Sequence, residues 1–124
     1  MAQVKKKVVF PKRGDVYLVN FDPTIGSEIK KTRPAVIIQN DLANRYSSTV
    51  IVVAISSQFD EMLYPTEVRI TPPEGGMIKN SVILANQIRS IDKQRLGKRL
   101  GKVNEETIER CDQALKISLG LIKF

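Results

Sequence analysis

Hydrophobic residues change their period once along this chain, and that change limits the architecture more than any other feature. From Asp15 to Ile91 they come in short β-branched runs broken by turn residues: Asp15–Phe21, Ala35–Asn40, Thr49–Ile55, Thr66–Thr71 and Ser81–Ile91. Each has the length and composition of a strand. Nearer the C-terminus, Ile108, Cys111, Leu115, Leu119 and Ile122 recur at helical spacing, which lays one apolar stripe along a helix over about Glu105–Leu121. Asn104 is its natural N-cap, Glu105 and Glu106 suit the positive end of the helix dipole, and Val103 can staple onto Ile108.

Val36-Ile37-Ile38 and Val50–Ile55 are continuously apolar rather than alternating, the pattern of central strands covered on both faces. Pro34 opens one run and Pro65 precedes another, where a missing amide donor does least harm to a ladder. Strands followed by one terminal helix imply a mainly β, α+β fold: an antiparallel sheet or barrel with the helix packed on it. At 124 residues the chain forms one core and has no room for a separate cofactor domain.

The net charge is +7, from 20 Lys and Arg against 13 Asp and Glu. Its distribution is uneven. Met1–Arg13 holds five bases and no acid, and Arg89–Lys102 holds six bases against Asp92, whereas Gly14–Ile88 is slightly acidic. Clustered positive charge suits a polyanionic partner, by steering and counterion release, and is equally compatible with a solvated face. The single cysteine, Cys111, has no internal disulfide partner and sits on the apolar stripe as a small core residue. Nothing in the sequence has the apolar length of a signal peptide core or a membrane span, so a cytoplasmic protein is expected.

Histidine is absent. That removes Ser-His-Asp triads, paired-imidazole nucleases and His-ligated metals, and neither an Asp-rich metal loop nor a Gly-rich phosphate loop is present; no metal or cofactor is expected. What remains is a binder, or an enzyme that works by positioning and electrostatics. RNA carries its own nucleophile in the 2′-hydroxyl, so one arginine, one hydroxyl and one carboxylate could suffice to cleave it. The long polar connections Asp22–Thr32, Asp41–Ser48 and Ser57–Pro65 are where such a site belongs.

The run Arg13-Gly14-Asp15-Val16-Tyr17, then Asp22-Pro23, Gly26-Ser27-Glu28, Arg33-Pro34-Ala35-Val36-Ile37 and Gln39-Asn40, resembles the opening of MazF/PemK/Kid toxins. Ser81-Val82-Ile83-Leu84, Gln87-Ile88-Arg89, Ile91–Leu96 and the closing helix resemble the remainder of that family. The resemblance covers 13–124 and leaves 1–12 as a basic N-terminal extension. It implies an SH3-like barrel of the CcdB/MazF/Kid toxin fold. It also implies a homodimeric, metal-independent endoribonuclease that cuts single-stranded RNA at short motifs, leaving 2′,3′-cyclic phosphate and 5′-hydroxyl ends, and a cognate MazE-like antitoxin with an acidic tail.

The resemblance assigns Arg33 and Ser56 as the active pair, Ser56 standing where relatives commonly carry threonine, and Glu28 as proton acceptor. For RNA binding it points to Thr24, Ile25, Ser27, Gln39, Asn40, Ser57, Gln58, Tyr64, Thr66, Ser81, Gln87 and Arg89. The alternatives are an Arg33 paired with Glu28 or Glu67, a Ser56 that only caps a strand, an Arg89 that braces the dimer instead of contacting RNA, and an Arg95–Lys102 cluster that is solvated or receives the antitoxin's tail. Two further functions fit the same fold. One is a non-enzymatic, CcdB-like toxin, disfavoured because its tryptophan-bearing tail is missing; the other is an SH3-like module that binds nucleic acid without cutting it.

Overall fold

Six strands form one antiparallel sheet in the order β4-β5-β3-β2-β1-β6. They are β1 (Asp15–Asn20), β2 (Thr32–Ile37), β3 (Thr49–Ser56), β4 (Glu67–Ile70), β5 (Ser81–Asp92) and β6 (Leu96–Lys102), with helices α1 (Asp41–Tyr46) and α2 (Glu105–Ser118). The computed structural model describes residues 10–123, so most of the basic N-terminal extension and Phe124 lie outside the described residues.

The two continuously apolar runs became central strands β2 and β3, and the sheet is buried on both faces. One face carries Val16, Val36, Val53, Ile55 and Ile83 and packs on α2 through Cys111 and Ala114. The other carries Val19, Phe21, Ala35, Ile37, Val52 and Ala54. Removing each such Val, Ile or Phe side chain from water contributes about 1.5–3 kcal/mol, which is why neither run alternates. Between Val53↔Ile88 and Ile55↔Ile83 the β3–β5 register shifts, so β5 has extra residues around Asn86 and bends there.

Apart from shifts of one residue at strand ends, the structure differs from the sequence expectation in four places. β2 begins at Thr32 and ends at Ile37, placing Pro34 inside the strand rather than at its start. The connection Asp41–Ser48 contains α1, because the Asn40 side chain accepts from the Ala43 amide and caps a helical turn. β6 was not anticipated: Leu96–Lys102 contains Gly97, Gly101 and three cations, a poor strand composition, yet it pairs along β1. Finally, α2 stops at Ser118. Gly120 takes φ 71° and the Leu121 amide donates back to the Lys116 carbonyl, closing the helix before the expected stripe is complete. Leu119 and Ile122 are therefore exposed, and the buried positions of the helix are Thr107, Cys111 and Ala114.

Asn104 caps α2 as expected, its side chain accepting from the Thr107 amide at 2.8 Å. Cys111 is a core residue; burial first, then neighbouring Asp112, pushes its thiol up to about 11 against the opposing effect of Arg13, so it stays protonated at neutral pH.

Candidate active site

Pro34 creates the opening at which the candidate site forms. The Gly14 amide donates to the Ile37 carbonyl and the Ile38 amide to the Ile51 carbonyl. Strand alternation therefore turns the Pro34 backbone toward β3, where it has no N–H to donate. The β2–β3 pairing ends at Ala35↔Ala54. Beyond that point the two strands border an open cavity of about 400 Å³ lined by Arg33, Pro34, Ile55, Ser57, Gly76, Met77, Ile78, Lys79, Ser81 and Leu100. Its floor is apolar, with two cations and two hydroxyls around it. A base face, a phosphate and a ribose find complementary surfaces in such a set.

Arg33 is exposed and its Nε donates to the Lys30 carbonyl at 3.2 Å. The ion pairs among described residues are Arg13–Asp112 and Arg99–Asp15, so Arg33 is not held by Glu28 or Glu67. Glu67 instead accepts from the Tyr64 amide at 2.8 Å. Continuing the β2–β3 register past Pro34 sets Arg33 opposite Ser56, both on the face of Ala35 and Ala54. The Ser56 hydroxyl accepts from the Gln58 amide at 3.1 Å and donates to the Gln58 carbonyl at 3.2 Å. Ser57, one residue on, is the hydroxyl that lines the cavity with Arg33 and Ser81.

Thr24, Ile25, Ser27 and Glu28 occupy the tip of the connection between β1 and β2. Ile25, Ser27 and Glu28 are exposed, Ile25 to 81%. Gln87, from the bend in β5, accepts from the Ile29 amide of the same connection at 3.4 Å. Gln39 and Asn40 fall elsewhere, beyond the other end of β2 and roughly 20 Å along the chain from Arg33 at about 3.3 Å per residue. Gln39 is 7% exposed, and its side-chain amide donates to Asn44 and to the Thr49 carbonyl. With Asn40 capping α1, both residues hold the fold together, and neither joins the cluster around Arg33. Tyr64 and Thr66 precede edge strand β4, with β5 and β3 between it and β2.

Sequence reading passed over Lys79, Met77, Gly76 and Leu100 as cavity-lining residues. The only local signal was the Gly75-Gly76 pair, which marks a close backbone approach. It also weighed Arg89 as an RNA contact or a dimer brace, and Arg95–Lys102 as solvated or antitoxin-binding, and foresaw no partners for them within the fold. Four cations of Arg89–Lys102 have internal partners: Arg89 donates to the Phe21 carbonyl, Lys93 to Asn44, Arg95 to Asn20 and Asp22, and Arg99 to Asp15. No group of three His, Cys, Asp or Glu side chains among the described residues could hold a metal ion, and no described helix is long and apolar enough to cross a membrane.

Comparison with known proteins gives a consistent result. The family model for the PemK-like, MazF-like toxin of type II toxin–antitoxin systems matches residues 12–119. The chain is 47% identical over 113 residues to endoribonuclease EndoA of Bacillus subtilis (strain 168), covering 91% of this chain and 97% of that protein. Among solved structures it is similar to MazF from Deinococcus radiodurans, with a TM-score of 0.79 at 25% identity, covering 91% of this chain and 99% of the other. It is also similar to a mycobacterial endoribonuclease in complex with its cognate antitoxin, with a TM-score of 0.74 at 26% identity, covering 92% and 99%.

Proposed function

The chain belongs to the PemK-like, MazF-like toxin family of type II toxin–antitoxin systems, and from that membership and the site we propose that it is an endoribonuclease toxin cutting single-stranded RNA. The observation that carries the reading is Arg33: an exposed guanidinium without a carboxylate partner among the described residues, lining a cavity of nucleotide size, on a strand whose register with β3, continued two residues, sets it opposite Ser56.

The reaction is a transesterification within the RNA. The ribose 2′-oxygen forms a bond to the adjacent phosphorus as its proton leaves, and the bond from phosphorus to the 5′-oxygen breaks as that oxygen takes up a proton from solvent water. The products are a 2′,3′-cyclic phosphate and a 5′-hydroxyl. Arg33 presents fixed N–H donors to the non-bridging oxygens, where charge accumulates. Ser56 hydrogen-bonds the reacting phosphate or 2′-hydroxyl once it exchanges its contacts with Gln58. Glu28, on the free loop tip, receives the 2′-proton when RNA draws the tip in. Ser27, Thr24 and Ile25 on that tip, with Ser57, Ser81 and Lys79 at the cavity and Gln58 next to Ser57, contact the flanking nucleotides. The acting form is a cytoplasmic homodimer, restrained by an antitoxin with an acidic tail. The non-catalytic readings of the fold have no support from the relatives.

The deciding experiment incubates purified protein with a long single-stranded RNA in EDTA and maps the cut ends. Cleavage at a short recurring motif, leaving cyclic phosphate and 5′-hydroxyl ends, is the expected outcome; intact RNA at high concentration of folded protein would sink the proposal. Ser56 has its own test. Ser56→Ala is expected to slow cleavage by about tenfold or more, the scale of losing one transition-state hydrogen bond. Ser56→Thr, with its stiffer χ1, is expected to equal or exceed the wild-type rate. An unaffected alanine variant would transfer the role to Ser57.

A further inference from the structure

Arg89 and Arg95 are long cations in a basic cluster, yet both guanidiniums turn inward onto the same short stretch of main chain. We infer that Arg89, assisted by Arg95, is a positioning residue that clamps the neck of the loop joining β1 to β2, and that it does not bind RNA. This inference rests on the ribonuclease reading, because the clamped loop carries Glu28 and leads into Arg33.

As the chain leaves β1, three successive carbonyls, those of Asn20, Phe21 and Asp22, point at arginine donors. Arg89 Nη1 donates to the Phe21 carbonyl at 2.7 Å. Arg95 Nη1 donates to the Asn20 carbonyl at 3.0 Å and to the Asp22 carbonyl at 2.5 Å. The Arg89 guanidinium also lies 5.5 Å from the centroid of the Phe21 ring, a side chain with no exposed surface. Carbonyls beyond the end of a strand need partners, and a charged planar donor provides stronger hydrogen bonds than water.

The same residues close the loop. The Phe21 amide donates to the Lys31 carbonyl at 2.9 Å, and the Lys31 amide donates to the Asp22 carboxylate at 2.9 Å. Lys31 itself takes φ 64°, a conformation that non-glycine residues hold only when their surroundings impose it. Arg33 is two residues further on, opposite Val19 of β1. Arg89 thus sets the direction in which the chain enters β2 and, with it, the position of the Arg33 guanidinium. The loop has a fixed neck, formed by residues 20–22 and 31, and a free tip at Thr24–Glu28. That division suits a site in which the cation is preset and the proton acceptor arrives with the substrate.

The test compares Arg89→Gln and Arg89→Lys with wild type in three measurements: cleavage kinetics, salt dependence of binding to an RNA with 2′-deoxy sugars that cannot react, and amide hydrogen exchange at Phe21 and Lys31. In Arg89→Gln the positioning role gives a kcat lowered by about 10- to 100-fold, the scale of a misplacement of about 1 Å. KM and the salt slope stay unchanged, and the two neck amides exchange faster. Arg89→Lys, which can still reach the Phe21 carbonyl, restores part of the rate. A salt slope shallower by about 0.7, the value of one lost phosphate contact on a single strand, together with raised KM, would instead make Arg89 an RNA ligand and overturn the inference. So would unchanged exchange at both amides. If Arg89→Gln does not fold, Arg89→Lys and Arg95→Gln make the same comparison. A wild-type protein that leaves RNA intact refutes the ribonuclease reading alone, since exchange at the neck still decides whether the clamp exists.

Discussion

Replacing Arg33 by alanine is expected to slow RNA cleavage by about 10²–10³-fold and to leave the melting temperature unchanged. The two expectations come from different features of the same residue. Its catalytic weight follows from charge: the phosphoryl oxygens become more negative on the way to the transition state, and a preset donor at such a position is worth about 3–4 kcal/mol. Its structural weight is small. Arg33 is exposed, takes part in neither ion pair among the described residues, and makes one side-chain hydrogen bond, to the Lys30 carbonyl. Single-turnover cleavage and a thermal melt on the same preparation separate the two. Arg33→Lys should recover little, because an ammonium lacks the planar fork that addresses two oxygens together. If the alanine variant cuts at the wild-type rate, the charge-stabilising role belongs to another cation, and Lys79 across the cavity is the next to replace.

The second large effect is on folding. Gly76→Ala is expected to lower stability by about 2–3 kcal/mol, roughly 10 °C in melting temperature for a domain of this size. Gly76 belongs to the 3₁₀ turn Glu74–Gly76 that covers β6, and it takes φ 76°. A Cβ there would overlap the carbonyl oxygen and carbon of Leu100, which as backbone cannot move aside. From the other side, a Cβ on Gly101 would stand 2.8 Å from the carbonyl carbon of Gly75. The turn and β6 therefore touch main chain to main chain, and glycines on both sides permit the approach. Gly26→Ala is the control. Gly26 has a similar φ of 60° but no neighbour within 4 Å of its would-be Cβ, so only conformational strain remains, about 1 kcal/mol. Equal losses in the two variants would show that backbone overlap is not what matters at Gly76. Because Gly76 and Leu100 both line the cavity of Arg33, the Gly76 variant should also cleave more slowly at temperatures where it is still folded.

The local physics of single segments was legible in the sequence. The terminal helix followed from the spacing of its apolar residues and from Asn104, because capping and amphipathicity act within a few residues. Central strands β2 and β3 followed from unbroken β-branched runs, because burial on both faces leaves no polar alternation to hide them. Arg33 was singled out by its place before Pro34 in a pattern resembling a known family, and the structure leaves it without an ion partner at a cavity mouth.

Tertiary structure alone decided the rest, because each item depends on contacts between distant segments. Leu96–Lys102 reads only as a basic cluster with no strand signal, and it is a strand because β1 presents it a partner and Gly76 lets a turn lie across it. Pro34 reads as a strand opener; inside β2 it ends the ladder toward β3 and leaves the cavity. Gln39 and Asn40 follow Arg33 closely in sequence, but an extended strand carries them to the far end of the sheet, where buried hydrogen bonds hold Gln39. Arg89 reads as an RNA-binding residue and Arg95 as part of a basic cluster, yet the fold brings three backbone carbonyls under their guanidiniums; side-chain direction of that kind is set by the partner a residue meets, which no single segment contains.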